Sequence, residues 1–139
     1  MSDRKITFKI VTPEKLVYEN EVDQITLPTK DGVITVLPGH EGLVSLVESG
    51  EVLVKVDGNG IVLHVHKGVL EVKPGSRVTV LADSADHVNE LDEEKILEAK
   101  ARVEKILEDK DKLSEVEFAR FEDSLAREIA RLSILRKYK

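Results

Sequence analysis

The sequence predicts a segregated α+β protein, a β-sandwich followed by an antiparallel two-helix hairpin, and three observations carry that expectation. Every glycine and proline lies at or before Gly75, which concentrates turn formers and helix breakers in the first part of the chain. In that part short apolar runs alternate with turn signals, as in a sandwich or barrel. From Asp92 onward the apolar residues instead recur at the period of an amphipathic helix. The division falls between residues 1–87 and 88–139.

Ile6, Phe8 and Ile10 alternate on one face of a first strand that Thr12-Pro13 closes. Further strands are expected over Leu16 to Tyr18, Val22 to Leu27, Val33 to Leu37, Leu43 to Val47, Val52 to Val56, Ile61 to His66, Val69 to Val72 and Arg77 to Leu81. Asp57-Gly58 and Asn59-Gly60 are both hairpin-turn pairs. A first helix is predicted from Asp92 to about Glu108, with Ile96, Ala99, Val103, Ile106 and Leu107 on its apolar face and Asp92, Glu93 and Glu94 in its first turn. Asp109 to Lys112 forms a short loop. A second helix starts at a capping box of Ser114 and Glu117, with Leu113 and Phe118 as a hydrophobic staple. Its stripe is Phe118, Phe121, Leu125, Ile129, Leu132 and Leu135. Helices joined by so short a loop pack antiparallel.

Composition narrows the function. With 41% hydrophobic residues, a chain of 139 residues can bury a core without staples, and it has no cysteine to form disulfides or thiolate sites. A net charge of −6 and few aromatic residues argue against nucleic acid as a partner. The first residues carry no apolar signal segment, and no run is long enough to cross a bilayer. One Met, no Cys and the single Gln24 resemble a heat-adapted composition.

Enzyme-like signals are sparse. Neither a phosphate-cradling glycine loop nor a Gly-x-Ser-x-Gly elbow is present. Asp83 with Asp86, and Glu93 with Glu94, read as surface or first-turn charges. His64 and His66, two apart on a strand, point the same way and with Glu71 resemble half of a cupin metal motif. The second cupin motif is absent, so this is the minor alternative. Arg120, Arg127 and Arg131 line one face of the second helix. Each has an acid three or four residues earlier, at Glu117, Asp123 and Glu128, so the row reads equally as a solvated face or as a contact for an acidic or phosphate-bearing partner.

Val11 to Gly50, Gly68 to Val72 followed by Pro74-Gly75, Val78 to Ala82, and Leu91-Asp92-Glu93 together resemble the epsilon subunit of rotary F-type ATP synthases, called delta in mitochondria; Leu37-Pro38-Gly39-His40 is the most specific element. The resemblance spans essentially the whole chain. It implies a non-catalytic central-stalk subunit on the cytoplasmic face of a bacterial membrane, attached only through the complex. Its sandwich would bind the gamma shaft, and its loops, through Asp31, Gly32, Pro38, Gly39 and His40, the membrane rotor ring of c subunits. An acidic ring contact common in the family is replaced here by Val33. The hairpin would either fold down or extend, its Arg120, Arg127 and Arg131 then meeting an acidic segment of the alpha and beta catalytic subunits and blocking ATP hydrolysis. Family members that bind ATP use a motif matched here by Leu91, Asp92, Lys95 and Ile96, with Asp86, Arg102, Arg127 and Arg131 at the remaining positions. Lys95 stands where the motif has Arg, and an ammonium lacks the planar fork of a guanidinium, so ATP is implied as a weak regulatory ligand or none.

Overall fold

The computed structural model describes residues 4–138. Two compact units divide the chain, Met1–His87 and Val88–Lys139. The first holds eight strands: β1 (Ile6–Val11), β2 (Leu16–Val22), β3 (Gln24–Thr29), β4 (Gly32–Val36), β5 (Leu43–Val47), β6 (Gly50–Val56), β7 (Asn59–Lys73) and β8 (Arg77–His87). Their order is β2-β1-β8-β7-β5-β3-β4, with β6 bridging β3 and β7. All pairings are antiparallel except β1 with β8.

The sandwich arises because β7 and β8 serve both layers. The first half of β7 pairs with β6 and its second half with β5, while β8 follows along the other side. Sequence reading expects two strands, Ile61 to His66 and Val69 to Val72, where the structure has one that turns a corner. Lys67 takes a positive φ of 52°, and the inward phase changes there from Leu63 and Val65 to Leu70 and Val72. Gly68 follows because β8 passes too close for any side chain: a Cβ would run into the Leu81 carbonyl oxygen and lie 2.8 Å from Ala82 Cα. Between the layers Ile6, Phe8, Ile10, Ile25, Leu27, Val52, Leu63, Leu70 and Val80 are fully buried.

Local chemistry closes the corners. Asp57 and Gly58 both take positive φ, 50° and 84°, and form the two-residue β6–β7 turn, leaving Asn59-Gly60 to open β7. Lys5 Nζ donates to Asp23 Oδ1 at 2.6 Å and Asp57 Oδ1 at 2.8 Å, and the Asp57 backbone N–H donates to Asp23 Oδ2 at 2.7 Å. These bonds tie the start of β1 to two turns. They hold the Asp23 carboxyl below its ordinary range and push the Lys5 ammonium up to about 12.

In the second unit α1 (Glu93–Glu108) and α2 (Glu115–Tyr138) form the hairpin, with single-turn 3-10 segments at Val88–Glu90 and Lys110–Lys112. The Asp92 side chain accepts the Lys95 backbone N–H at 3.3 Å and starts α1. Ser114 Oγ accepts the Glu117 N–H while Glu117 Oε1 accepts the Ser114 N–H, each at 3.1 Å, so the capping box forms in full. Leu91, Ile96, Leu132 and Leu135 make the hairpin core, and Arg136 reaches Glu93 at 3.1 Å, which sets the helices antiparallel. Two expected core residues are exposed, Ile106 at 39% and Ile129 at 48%, while Ile134 and Glu128 are buried. Ile106 and Ile129 lie at the edges of their stripes, and the crossing of the helices leaves those edges uncovered.

Candidate functional site

On the outer surface of one layer, apolar side chains line up across five strands. Leu46 of β5 pairs with Val69 of β7, Val69 with Leu81 of β8, Leu81 with Val11 of β1, and Val11 with Leu16 of β2. Alternation puts these residues outward because Val47, Leu70, Val80 and Ile10 point into the core. Leu46, Leu81 and Leu16 are each exposed by half or more, and Val44 beside them by 69%. The neighbouring rows, Glu71 with Thr79 and Lys9, then Lys73 with Arg77 and Thr7, are polar, with three basic residues and one acidic. An apolar strip with a charged margin is the form of a protein-docking surface. The sequence carries its signal in the near-continuous apolar runs of β5 and β7, which imply strands covered on both faces.

The two segments expected to meet the rotor ring lie at opposite ends of β4. Lys30 and Asp31 form the β3–β4 turn and Gly32 opens β4; Thr29 Oγ1 accepts the Asp31 N–H at 3.2 Å and donates to the Gly32 carbonyl at 2.7 Å. Val33 beside it is 72% exposed. Pro38, Gly39 and His40 form the β4–β5 loop, fixed by Gly39 N–H donation to Ser76 Oγ at 2.8 Å and His40 N–H donation to the Leu37 carbonyl at 3.1 Å. Five residues of strand, roughly 16 Å, separate them.

The histidine pair does not assemble a metal centre with Glu71. His64 and His66 are buried; His64 Nδ1 lies 3.4 Å from Asp86 Oδ2 and His66 Nδ1 3.1 Å from Ser49 Oγ. Glu71 lies beyond the corner at Lys67 in the other half of β7, where it pairs with Val44 of β5, so the corner separates it from the two histidines. Among the described residues no three His, Asp or Glu side chains converge as ligands. Asp86, read from sequence as a surface charge, is half-buried beside His64.

In the hairpin, Arg127 and Arg131 converge on one carboxylate. Glu128 Oε2 accepts from Arg127 Nε and Arg131 Nη1, each at 3.2 Å, and Oε1 accepts from Arg131 Nη1 at 3.3 Å. The Glu128 side chain is only 4% exposed, against 35% for Arg127 and 20% for Arg131. This part of the arginine row is therefore not a solvated face. Arg120 instead lies over the Phe121 ring, 5.6 Å from its centroid, at an exposed position. Of the residues matched to the ATP motif, Leu91 is buried in the hairpin core, Asp92 caps α1, and Lys95 and Arg102 are exposed on α1. Asp86 belongs to the first unit and the others to the second.

Two surfaces of different chemistry, an apolar strip on a rigid sandwich and a basic helix face on a separate hairpin, define a subunit made for partners. Residues 5–88 match the family model of the ATP synthase Delta/Epsilon chain, beta-sandwich domain. The chain is 38% identical to the ATP synthase epsilon chain of Psychrobacter cryohalolentis over 132 residues, which is 94% of each protein. It is 39% identical to that of Bacillus cytotoxicus, over 90% of this chain and 92% of the relative. In fold it is similar to a chain of the Euglena gracilis mitochondrial ATP synthase, with a TM-score of 0.76 and 20% identity over 97% of this chain and 84% of that one. The chain belongs to the ATP synthase epsilon-chain family.

Proposed function

We propose that this chain is the central-stalk subunit through which an F-type ATP synthase couples rotor rotation to ATP synthesis and restrains ATP hydrolysis, itself catalysing nothing. The five-strand apolar row carries the reading, because a sandwich that keeps Leu46, Val69, Leu81 and Leu16 in water is incomplete without a partner. We assign that row to the gamma shaft, and the Pro38-Gly39-His40 loop to the ring of c subunits. The Asp31-Gly32 segment, extended by exposed Val33, meets the ring of c subunits through an apolar contact in place of an acidic one. Arg120, Arg127 and Arg131 belong to the contact with the alpha and beta subunits when the hairpin extends. Attachment to the cytoplasmic face of the bacterial membrane runs through the complex; among the described residues no helix is long and apolar enough to cross it.

ATP fits the matched residues poorly. Asp92 is committed to its helix cap, Lys95 offers a point charge, and Arg127 and Arg131 already hold a carboxylate. ATP is at most a weak regulatory ligand. Co-purification of the L46D/L81D double variant with the gamma shaft tests the main reading. Loss of the shaft is expected with folding unchanged, since exposed substitutions away from the core shift stability by only about 0.5 kcal/mol. Retention of the shaft would remove the row from the interface.

A further inference from the structure

Glu128 is a carboxylate that Arg127 and Arg131 share, and it is nearly buried. A carboxylate so placed is held there by its cations, since desolvating it without them is strongly unfavourable. The converse matters more for function. Both guanidinium groups spend hydrogen bonds on an acid of their own helix, and its negative charge offsets part of theirs before any partner arrives.

We propose that Glu128 is a built-in competitor that occupies the Arg127–Arg131 pair and thereby weakens capture of an acidic protein segment by α2. This rests on the reading that α2 engages such a segment, and it adds a control that the arginine row alone does not possess. The occupant already present argues for a carboxylate-bearing partner: the pair is shaped around one carboxylate that takes Arg127 through Nε and Arg131 through Nη1. An internal acid on the same helix competes at high effective concentration, so an outside acid must displace it or accept a cluster whose positive charge Glu128 has already reduced. Arg120, which bonds to no acid in this way, provides the first attraction; the Glu128-held pair sets how firmly the partner is retained.

The test uses the full chain and a short oligoglutamate peptide at low salt, followed by calorimetry. E128Q keeps the side-chain shape and removes its charge; it should bind the peptide about tenfold more tightly than the parent. E128Q/R127Q/R131Q should lose the gain. L132A, which loosens the hairpin core but keeps Glu128, should show none, so mere opening of the hairpin is separated from release of the arginines. Circular dichroism checks that each variant remains helical, and E128A serves as the second substitution should E128Q fail to fold. Equal affinity of E128Q and parent, a gain that survives loss of both arginines, an equal gain in L132A, or a gain seen with inorganic tripolyphosphate but not with the peptide would each overturn the proposal. In the assembled synthase R127Q/R131Q should raise ATP hydrolysis. No change there would sink the inhibitory reading of α2, while a rise there with no E128Q effect on peptide binding would sink only the role of Glu128.

Discussion

At Gly68 the chain has no room for one methyl group. β8 crosses so close that the new Cβ would meet backbone atoms of Leu81 and Ala82, and backbone in a paired ladder cannot move aside as a side chain can. G68A should therefore destabilise the protein by at least about 2 kcal/mol, read as a lowered urea midpoint, although Ala is ordinarily the better strand residue of the two. The Lys5, Asp23 and Asp57 cluster makes a residue-scale prediction of opposite character, since it lies near the surface and acts through charge. Asp23 has a folded pKa below the ordinary 3.8, so its contribution is fully present above that value and is lost as pH falls through the folded one. For Lys5, raised from 10.5 to about 12, the contribution is present below 10.5 and lost as pH rises through 12. D23N should accordingly lower the urea midpoint at pH 7, and the gap between variant and parent should close in strong acid. A gap that persists unchanged below pH 3 would show that the hydrogen-bond geometry, and not the charge, supports the corner.

Among the elements, α2 depends most visibly on its start. The two reciprocal bonds between Ser114 and Glu117 satisfy donors that a helix end otherwise leaves to water, and S114A should cost the hairpin about 1 kcal/mol. Glu117 is held below its ordinary pKa first by the Ser114 backbone N–H and last by the charge of Arg120. Its support is therefore present above the ordinary carboxylate range and fades as pH falls below it, so the S114A deficit in helicity should narrow in acid. Such starts are legible in a sequence because capping is local: Ser114 and Glu117 sit within one turn of the groups they satisfy, while Asp92, read as a first-turn acid, caps α1 instead. The strand corner at Lys67 was not legible, because continuity of β7 comes from pairing with β5, β6 and β8, none of which a local window contains. For the same reason Ile106 and Ile129 read as core yet stand in solvent, and Glu128 read as one more surface acid yet is buried. The arginine row could be seen from its spacing; the carboxylate that occupies part of it could not, since burial is decided by tertiary packing. The docking row was hidden likewise, its members coming from five strands whose register only the folded sheet fixes.

Across the whole molecule, the division into Met1–His87 and Val88–Lys139 separates the two partner surfaces as well as the two cores. The sandwich core draws its fully buried residues from β1 to β8, and the hairpin core is a distinct small cluster of Leu91, Ile96, Leu132 and Leu135. A chain ended after Val88 keeps every strand and the complete apolar row, so it should unfold cooperatively with a free energy of about 4–13 kcal/mol. It should also still co-purify with the gamma shaft, because none of Leu46, Val69, Leu81, Val11 or Leu16 is lost. ATP hydrolysis by the complex should rise, since Arg120, Arg127 and Arg131 go with the hairpin. The two readouts separate the possibilities. A truncated chain that folds but releases the shaft would place part of the shaft contact on the hairpin, and one that binds the shaft without raising hydrolysis would leave the hairpin with no restraining role. Only retained binding together with raised hydrolysis matches a permanent grip by the sandwich and a separable brake carried by the helices.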